Sequence, residues 1–188
     1  MLQSGRNPKA SEVRMRLFFG LSLPGEIRAV TASCAALAQQ SIPGRYLLSE
    51  NHHITLAFLG DVPPERLSDA QRVLDGCMSF PAPQLMLDGF SHFGRKENGI
   101  LILRVKSNPS LIPLHDAIVS ALQAEGLPAD TGPFSPHITL ARHACVPEKL
   151  PDCPSLCFTA ENAHIFLSAR DEDNVLRYTP IYTVSFSK

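Results

Sequence analysis

Neither sign of charge dominates this chain. Seventeen Lys and Arg are balanced by eighteen Asp and Glu, a net charge of −1 over 188 residues, so no global field would draw it onto nucleic acid or an anionic membrane. Any polyanion it handles has to be met by a local basic cleft. Long apolar runs are also missing. The polar opening Met1 to Arg14 has no apolar segment behind it, so neither a secretory signal nor a membrane span is expected, and the reading is a cytoplasmic protein with no membrane partner. The cysteines, Cys34, Cys77, Cys145, Cys153 and Cys157, include no C-x-x-C pair. That argues against a disulfide framework and a zinc ribbon and favours reduced thiols. H-E-x-x-H and P-loop spacings are absent as well. What remains, 44% hydrophobic and 19% charged residues, is the composition of a globular protein with one domain, or two small lobes sharing a core.

Residues 1–14 show no apolar periodicity and read as a mobile leader, with a single domain over 15–188. Arg16 to Leu23 reads as a buried strand. Pro24 then suits the first turn of a helix reaching about Gln40, with Ile27, Val30, Cys34, Leu37 and Ala38 on one face. A short strand is expected at Tyr46 to Ser49, another at His53 to Leu59, and a helix from Pro63-Pro64 to about Cys77. Gln84 to Phe93 and Ile100 to Lys106 read as strands joined by a loop with Gly94 and Gly99 at its ends. A third helix spans Pro109 to Gly126. Strands follow from Ile138, over Phe158 to Leu167, and over Tyr178 to Phe186. Connections too short for parallel crossovers point to α+β with mainly antiparallel sheets.

One pentapeptide occurs twice. His53-Ile54-Thr55-Leu56-Ala57 and His137-Ile138-Thr139-Leu140-Ala141 are identical and lie 84 residues apart. Chance is a poor explanation and a duplicated half-domain a good one, since each copy falls in a strand with a helix earlier in its half. Alternate side chains of a strand face opposite ways, so each His shares a face with its Thr while Ile and Leu enter the core. Two halves related by a pseudo-twofold axis would bring two imidazoles and two hydroxyls to one cleft. Imidazoles with an unperturbed pKa of about 6.5 suit a reaction that needs a base and an acid together, and threonine hydroxyls can donate to phosphate oxygens. Arg142, after the second copy, would add a positive charge where the first copy has Phe58. A metal site is the rival chemistry, but H-x-T is not a metal-ligand spacing. His52, His92, His115, His143 and His164 read as ordinary surface or hydrogen-bonded histidines.

The sequence resembles the two-histidine phosphoesterases, specifically the bacterial RNA 2′,3′-cyclic phosphodiesterase or 2′-5′ RNA ligase-like family. The resemblance rests on both H-x-T-x motifs, Arg16-Leu17-Phe18-Phe19, Ala57-Phe58-Leu59-Gly60, Pro136, Arg142 and Arg177-Tyr178-Thr179-Pro180. It implies a bilobal fold, two pseudo-symmetric α+β lobes around a central cleft. The activity implied is hydrolysis of RNA 2′,3′-cyclic phosphate ends to 2′-phosphates without metal or other cofactor, with reversible 2′-5′ ligation as a related reaction. His53 would be the proton donor and His137 the proton acceptor, with Thr55, Thr139 and Arg142 on the phosphate and Phe18 and Tyr178 lining the cleft. The partners implied are RNA ends, on tRNA fragments or short oligonucleotides, met by a monomer. A non-catalytic RNA-end binding module, a metallohydrolase, and a phosphodiesterase for 2′-5′ linked oligonucleotides or other cyclic nucleotides stay open as alternatives. The leader and the segment 145–157 receive no role.

Overall fold

The computed structural model describes residues 13–76, 79–107 and 111–186. Nearly all of the expected leader lies outside these residues, as do the expected helix ends at Cys77 and Pro109. Among the described residues three α-helices, α1 (Gly25–Gln39), α2 (Leu67–Gly76) and α3 (Leu111–Ala124), accompany nine strands: β1 (Met15–Ser22), β2 (Arg45–Tyr46), β3 (His53–Val62), β4 (Gln84–Phe93), β5 (Gly99–Ser107), β6 (His137–Ala144), β7 (Cys157–Thr159), β8 (Asn162–Arg170) and β9 (Leu176–Ser185). No helix among the described residues is long and apolar enough to cross a membrane.

Every strand pairing is antiparallel, and the sheet runs β7-β4-β5-β6-β3-β1-β8-β9, with β2 alongside β6. The two strands carrying the repeated pentapeptide meet at its centre through one register pair, Ile54 opposite Ile138. Outward from this junction the halves match as β3-β1-β8-β9 and β6-β5-β4-β7. The chain order matches too, since β1-α1-β3 and β5-α3-β6 are each strand, helix, motif strand, with the two-residue β2 added before β3 in the first.

The register carries the duplication to single residues. Between β1 and β3, Phe19 pairs with Ala57 and Gly20 with Thr55, passing over Leu56. Between β5 and β6, Leu101 pairs with Ala141 and Ile102 with Thr139, passing over Leu140. Each motif thus contains the same bulge, at Leu56 and at Leu140. The extra residue shifts the alternation by one, so Leu56 and Ala57 are both buried, as are Leu140 and Ala141, and Phe58 and Arg142 return to the face of the histidines. Strict alternation would have turned both away. Each bulge carbonyl has its own partner: His115 Nδ1–H donates to Leu56 O (2.8 Å) and Leu47 N–H to Leu140 O (2.8 Å).

Ile54, Leu56, Ile138 and Leu140 join Leu17, Phe19, Ile27, Ile118 and Leu122 in one core. On α1 the buried face is Ile27, Thr31, Cys34, Ala35 and Ala38. The expected apolar stripe is corrected at Leu37, which is exposed, and Thr31 takes its place because its hydroxyl binds both Arg28 O and the buried His52 ring (2.9 Å each). Cys34 and Cys153, 119 positions apart, bring their thiols to 3.0 Å. Two strand expectations are also corrected. Tyr46 to Ser49 is strand only at Arg45–Tyr46, and Ser49–Asn51 forms a 3-10 turn. Phe158 to Leu167 is two strands at opposite ends of the sheet: β7 pairs β4, then the chain turns at Ala160 and Glu161 and β8 pairs β1.

Candidate active site

Both motif histidines line one cavity of about 130 Å³, with Thr55, Thr139, Arg142, Arg16, Phe18, Leu47, Phe58, Ser168 and Tyr178. Strands β1, β3, β6, β8 and β9 supply all of these except Leu47, and no helix contributes. All seven residues singled out in the sequence therefore come together. Larger hollows flank it, one of about 240 Å³ sharing Thr55, Phe58 and His137 with the cavity, and another of about 260 Å³ sharing Leu47 and Arg142.

The imidazoles are oriented alike. His53 Nδ1 lies 2.7 Å from Asn51 O, and His137 Nδ1 lies 2.7 Å from Ser135 O. A carbonyl can only accept, so both Nδ1 atoms carry the proton, and each neutral ring keeps its lone pair on Nε2. The Thr55 hydroxyl donates to His53 Nε2 (3.0 Å). Burial pushes His53 down to about 4, against a smaller upward pull from the Asn51 carbonyl, and it lowers His137 as well; the Arg142 charge presses both in the same direction.

The His53 ring is boxed by Phe18 (4.7 Å between centroids), Tyr178 (5.1 Å) and Phe166 (5.7 Å). Phe18, 3% exposed and stacked on Phe166, packs against the imidazole at a tilt of 36°, and Tyr178 stands edge-on to it. Gly20 makes room for the ring: a Cβ there would lie 2.9 Å from Ile54 O and 3.4 Å from His53 Cδ2. His137 meets the edge of Phe93 at 4.8 Å.

Sequence reasoning missed Asn51, Arg16, Ser168 and Phe166. Asn51 is buried; its side chain donates to Leu176 O (2.8 Å) and accepts from Tyr178 N–H (3.0 Å), while its own carbonyl holds His53. One residue thus ties β9 to the turn that aims His53. Its place two positions before the histidine, as Ser135 stands before His137, was the available signal. Arg16 lies over the exposed Phe58 ring at 4.9 Å. The adjacent His52 is buried, with Nδ1–H donating to Thr31 and Nε2 without a partner, and takes no part in the cavity. Arg177 is paired with Asp171 and Lys96 with Glu148, and neither lines the cavity.

A profile of the 2′-5′ RNA ligase superfamily matches residues 23–171. The RNA 2′,3′-cyclic phosphodiesterase of Escherichia coli (strain K12) is 35% identical over 130 residues, covering 69% of this chain and 72% of that protein. The protein of that name from Geobacillus stearothermophilus is 34% identical over 132 residues, 69% of this chain, and the chain spans 42% of its length. Among solved structures, E. coli LigT complexed with 3′-AMP superposes with a TM-score of 0.81 at 28% identity, over 94% of this chain and all of that one. LigT complexed with NADP+ gives 0.78 at 27%, with the same coverage.

Proposed function

The chain belongs to the 2′-5′ RNA ligase superfamily, and from that premise we propose that it hydrolyses RNA 2′,3′-cyclic phosphate ends to 2′-phosphomonoesters by acid–base catalysis between His53 and His137. The observation that carries this is the pair of imidazoles in one cavity, each with Nδ1 committed to a carbonyl two residues earlier, so that Nε2, met on His53 by the Thr55 hydroxyl, is the atom for proton transfer. Water attacks phosphorus while His137 Nε2 takes its proton. The P–O3′ bond breaks, and protonated His53 gives its Nε2 proton to O3′, leaving the phosphate on O2′. The direction of this transfer follows the family resemblance, since the pseudo-twofold arrangement treats the two rings alike. Thr55 and Thr139 donate to the non-bridging oxygens, and Arg142 balances the charge gathering on them in the transition state. The same steps with a 5′-hydroxyl in place of water form a 2′-5′ linkage, and their reversal cleaves it back to the cyclic phosphate.

Both motifs lie on one chain, which supports action as a monomer of one domain. The cysteines, which include no C-x-x-C pair, read as reduced thiols and support a cytoplasmic setting. His53→Ala and His137→Ala are each expected to lower kcat on an RNA with a cyclic phosphate end by about 10² to 10⁴, the range of a positioned acid or base. Circular dichroism and thermal melts should show the fold intact. Turnover near the wild-type rate by either variant would remove that histidine from the mechanism, and binding of RNA ends without turnover by the wild type would favour a recognition module.

A further inference from the structure

The cavity of about 260 Å³ that shares Leu47 and Arg142 with the catalytic one is walled also by Arg45 and Arg170, and no Asp or Glu lines it. Arg66, Arg72, Arg104 and Arg177 each meet a carboxylate. Among the described residues, no such ion pair forms at Arg45, Arg142 or Arg170. Arg45 and Arg142 are moreover direct cross-strand partners on β2 and β6, a placement in which like charges repel.

The backbone holds this arrangement in place. Before Arg45, Pro43 O accepts from Cys145 N–H (2.9 Å), and a Cβ on Gly44 would lie 3.1 Å from Ala144 Cα, so the chain runs hard against β6. Beyond it, Leu47 N–H donates to Leu140 O. The Arg170 guanidinium donates to Asn174 O, within a turn that the Asp171 carboxylate closes by accepting from Asp173 N–H (3.1 Å) and Val175 N–H (2.8 Å). Guanidiniums without an ion pair, carried around one hollow on backbone that is held in place, are complementary to an anion, and their planar forks suit phosphate oxygens.

We propose that this cavity is a second phosphate subsite, taking the phosphate on the 5′ side of the terminal nucleotide while the cyclic phosphate occupies the catalytic cavity, so that Arg142 lies between the two. This rests on the reading of the first cavity as the site of the RNA end. It answers how a chain of net charge −1 grips a polyanion: two adjacent phosphates are met locally and the rest of the strand is left alone.

The test compares three substrates, a nucleoside 2′,3′-cyclic phosphate, its 5′-phosphorylated form, and a dinucleotide with a cyclic end, on the wild type, Arg45→Ala and Arg170→Ala. Wild-type kcat/KM should be about tenfold or more higher on the two substrates carrying the second phosphate, the scale of a charge-assisted hydrogen bond. Each variant should lose about tenfold on those two and stay within twofold of wild type on the plain mononucleotide. Equal losses on all three, no losses at all, or a wild-type preference that needs the second nucleoside and not its phosphate would overturn the subsite. If the wild type hydrolyses none of them, calorimetric affinities for the corresponding 2′-phosphates repeat the comparison. A loss confined to two-phosphate ligands would then uphold the subsite while the hydrolytic reading fails, and its absence would overturn both.

Discussion

In the proposed mechanism His53 and His137 begin from an unusual protonation state. Burial lowers both, His53 to about 4, so in the free site at neutral pH both rings are uncharged and the pair has a base ready but no acid. A bound phosphodiester anion favours imidazolium, and the substrate itself thereby supplies the charge that lets one ring hold a proton. The sign of the effect is testable. The profile of kcat/KM reports the free enzyme, and its basic limb should fall below pH 6.5, where the acid loses its proton. In the kcat profile, with the anion in place, that limb should move to higher pH. Coincident limbs, or a kcat/KM limb above 6.5, would contradict this account. These two residues and their threonines were legible in the sequence because duplication prints them twice. Arg142 was legible as a flanking charge, but its turn into the cavity depends on the Leu140 bulge, which pairing with β5 creates. Arg16 was not legible, because it acts beside a ring that folding alone brings near, and Asn51 was signalled only by its place two positions before His53, since its side-chain partners on β9 are brought near by folding.

Among the elements, the turn before β3 has the largest effect on the site. Asn51 joins it to β9 through two hydrogen bonds made by its side chain and aims His53 through its carbonyl. Asn51→Ala leaves Leu176 O and Tyr178 N–H without those partners, a cost of about 1–3 kcal/mol, and loosens the loop that fixes the tautomer of His53. The variant should therefore show both a lower urea midpoint and a lower kcat; a protein as stable and as active as wild type would show that the bridge positions nothing. The strands were readable from apolar runs and turn residues, with one informative failure. Phe158 to Leu167 has the pattern of a single strand, yet its two parts pair with β4 and with β1 at opposite ends of the sheet. Local patterning records that a segment is extended and half-buried, and it is silent about which neighbour takes its hydrogen bonds.

Across the whole molecule, one sheet carries two copies of a strand, helix, motif-strand unit back to back, and the site forms where the motif strands meet. The pentapeptide made this arrangement readable before any coordinates, while the arginine-lined hollow, assembled from residues 45, 142 and 170, was out of reach. Several histidines are desolvated and uncharged: His52 and His53 are lowered to about 4 by desolvation, and His137 and His164 are lowered by the same cause. As pH falls below about 6.5 the unfolded chain binds protons that the folded protein refuses. The melting temperature should thus decline from pH 6.5 toward 4, beginning above the range in which carboxylates titrate, and a flat profile across that window would contradict the buried, neutral histidines. The central claim is that two imidazoles on one sheet hydrolyse a cyclic phosphate at RNA ends without help from a metal ion. It is met most directly by incubating an RNA with a 2′,3′-cyclic phosphate end in excess EDTA and determining which oxygen of the product carries the phosphate. A 2′-phosphomonoester, formed at the same rate with and without chelator, is the predicted result; a 3′-phosphate, or a rate abolished by EDTA and restored by zinc or manganese, would contradict it.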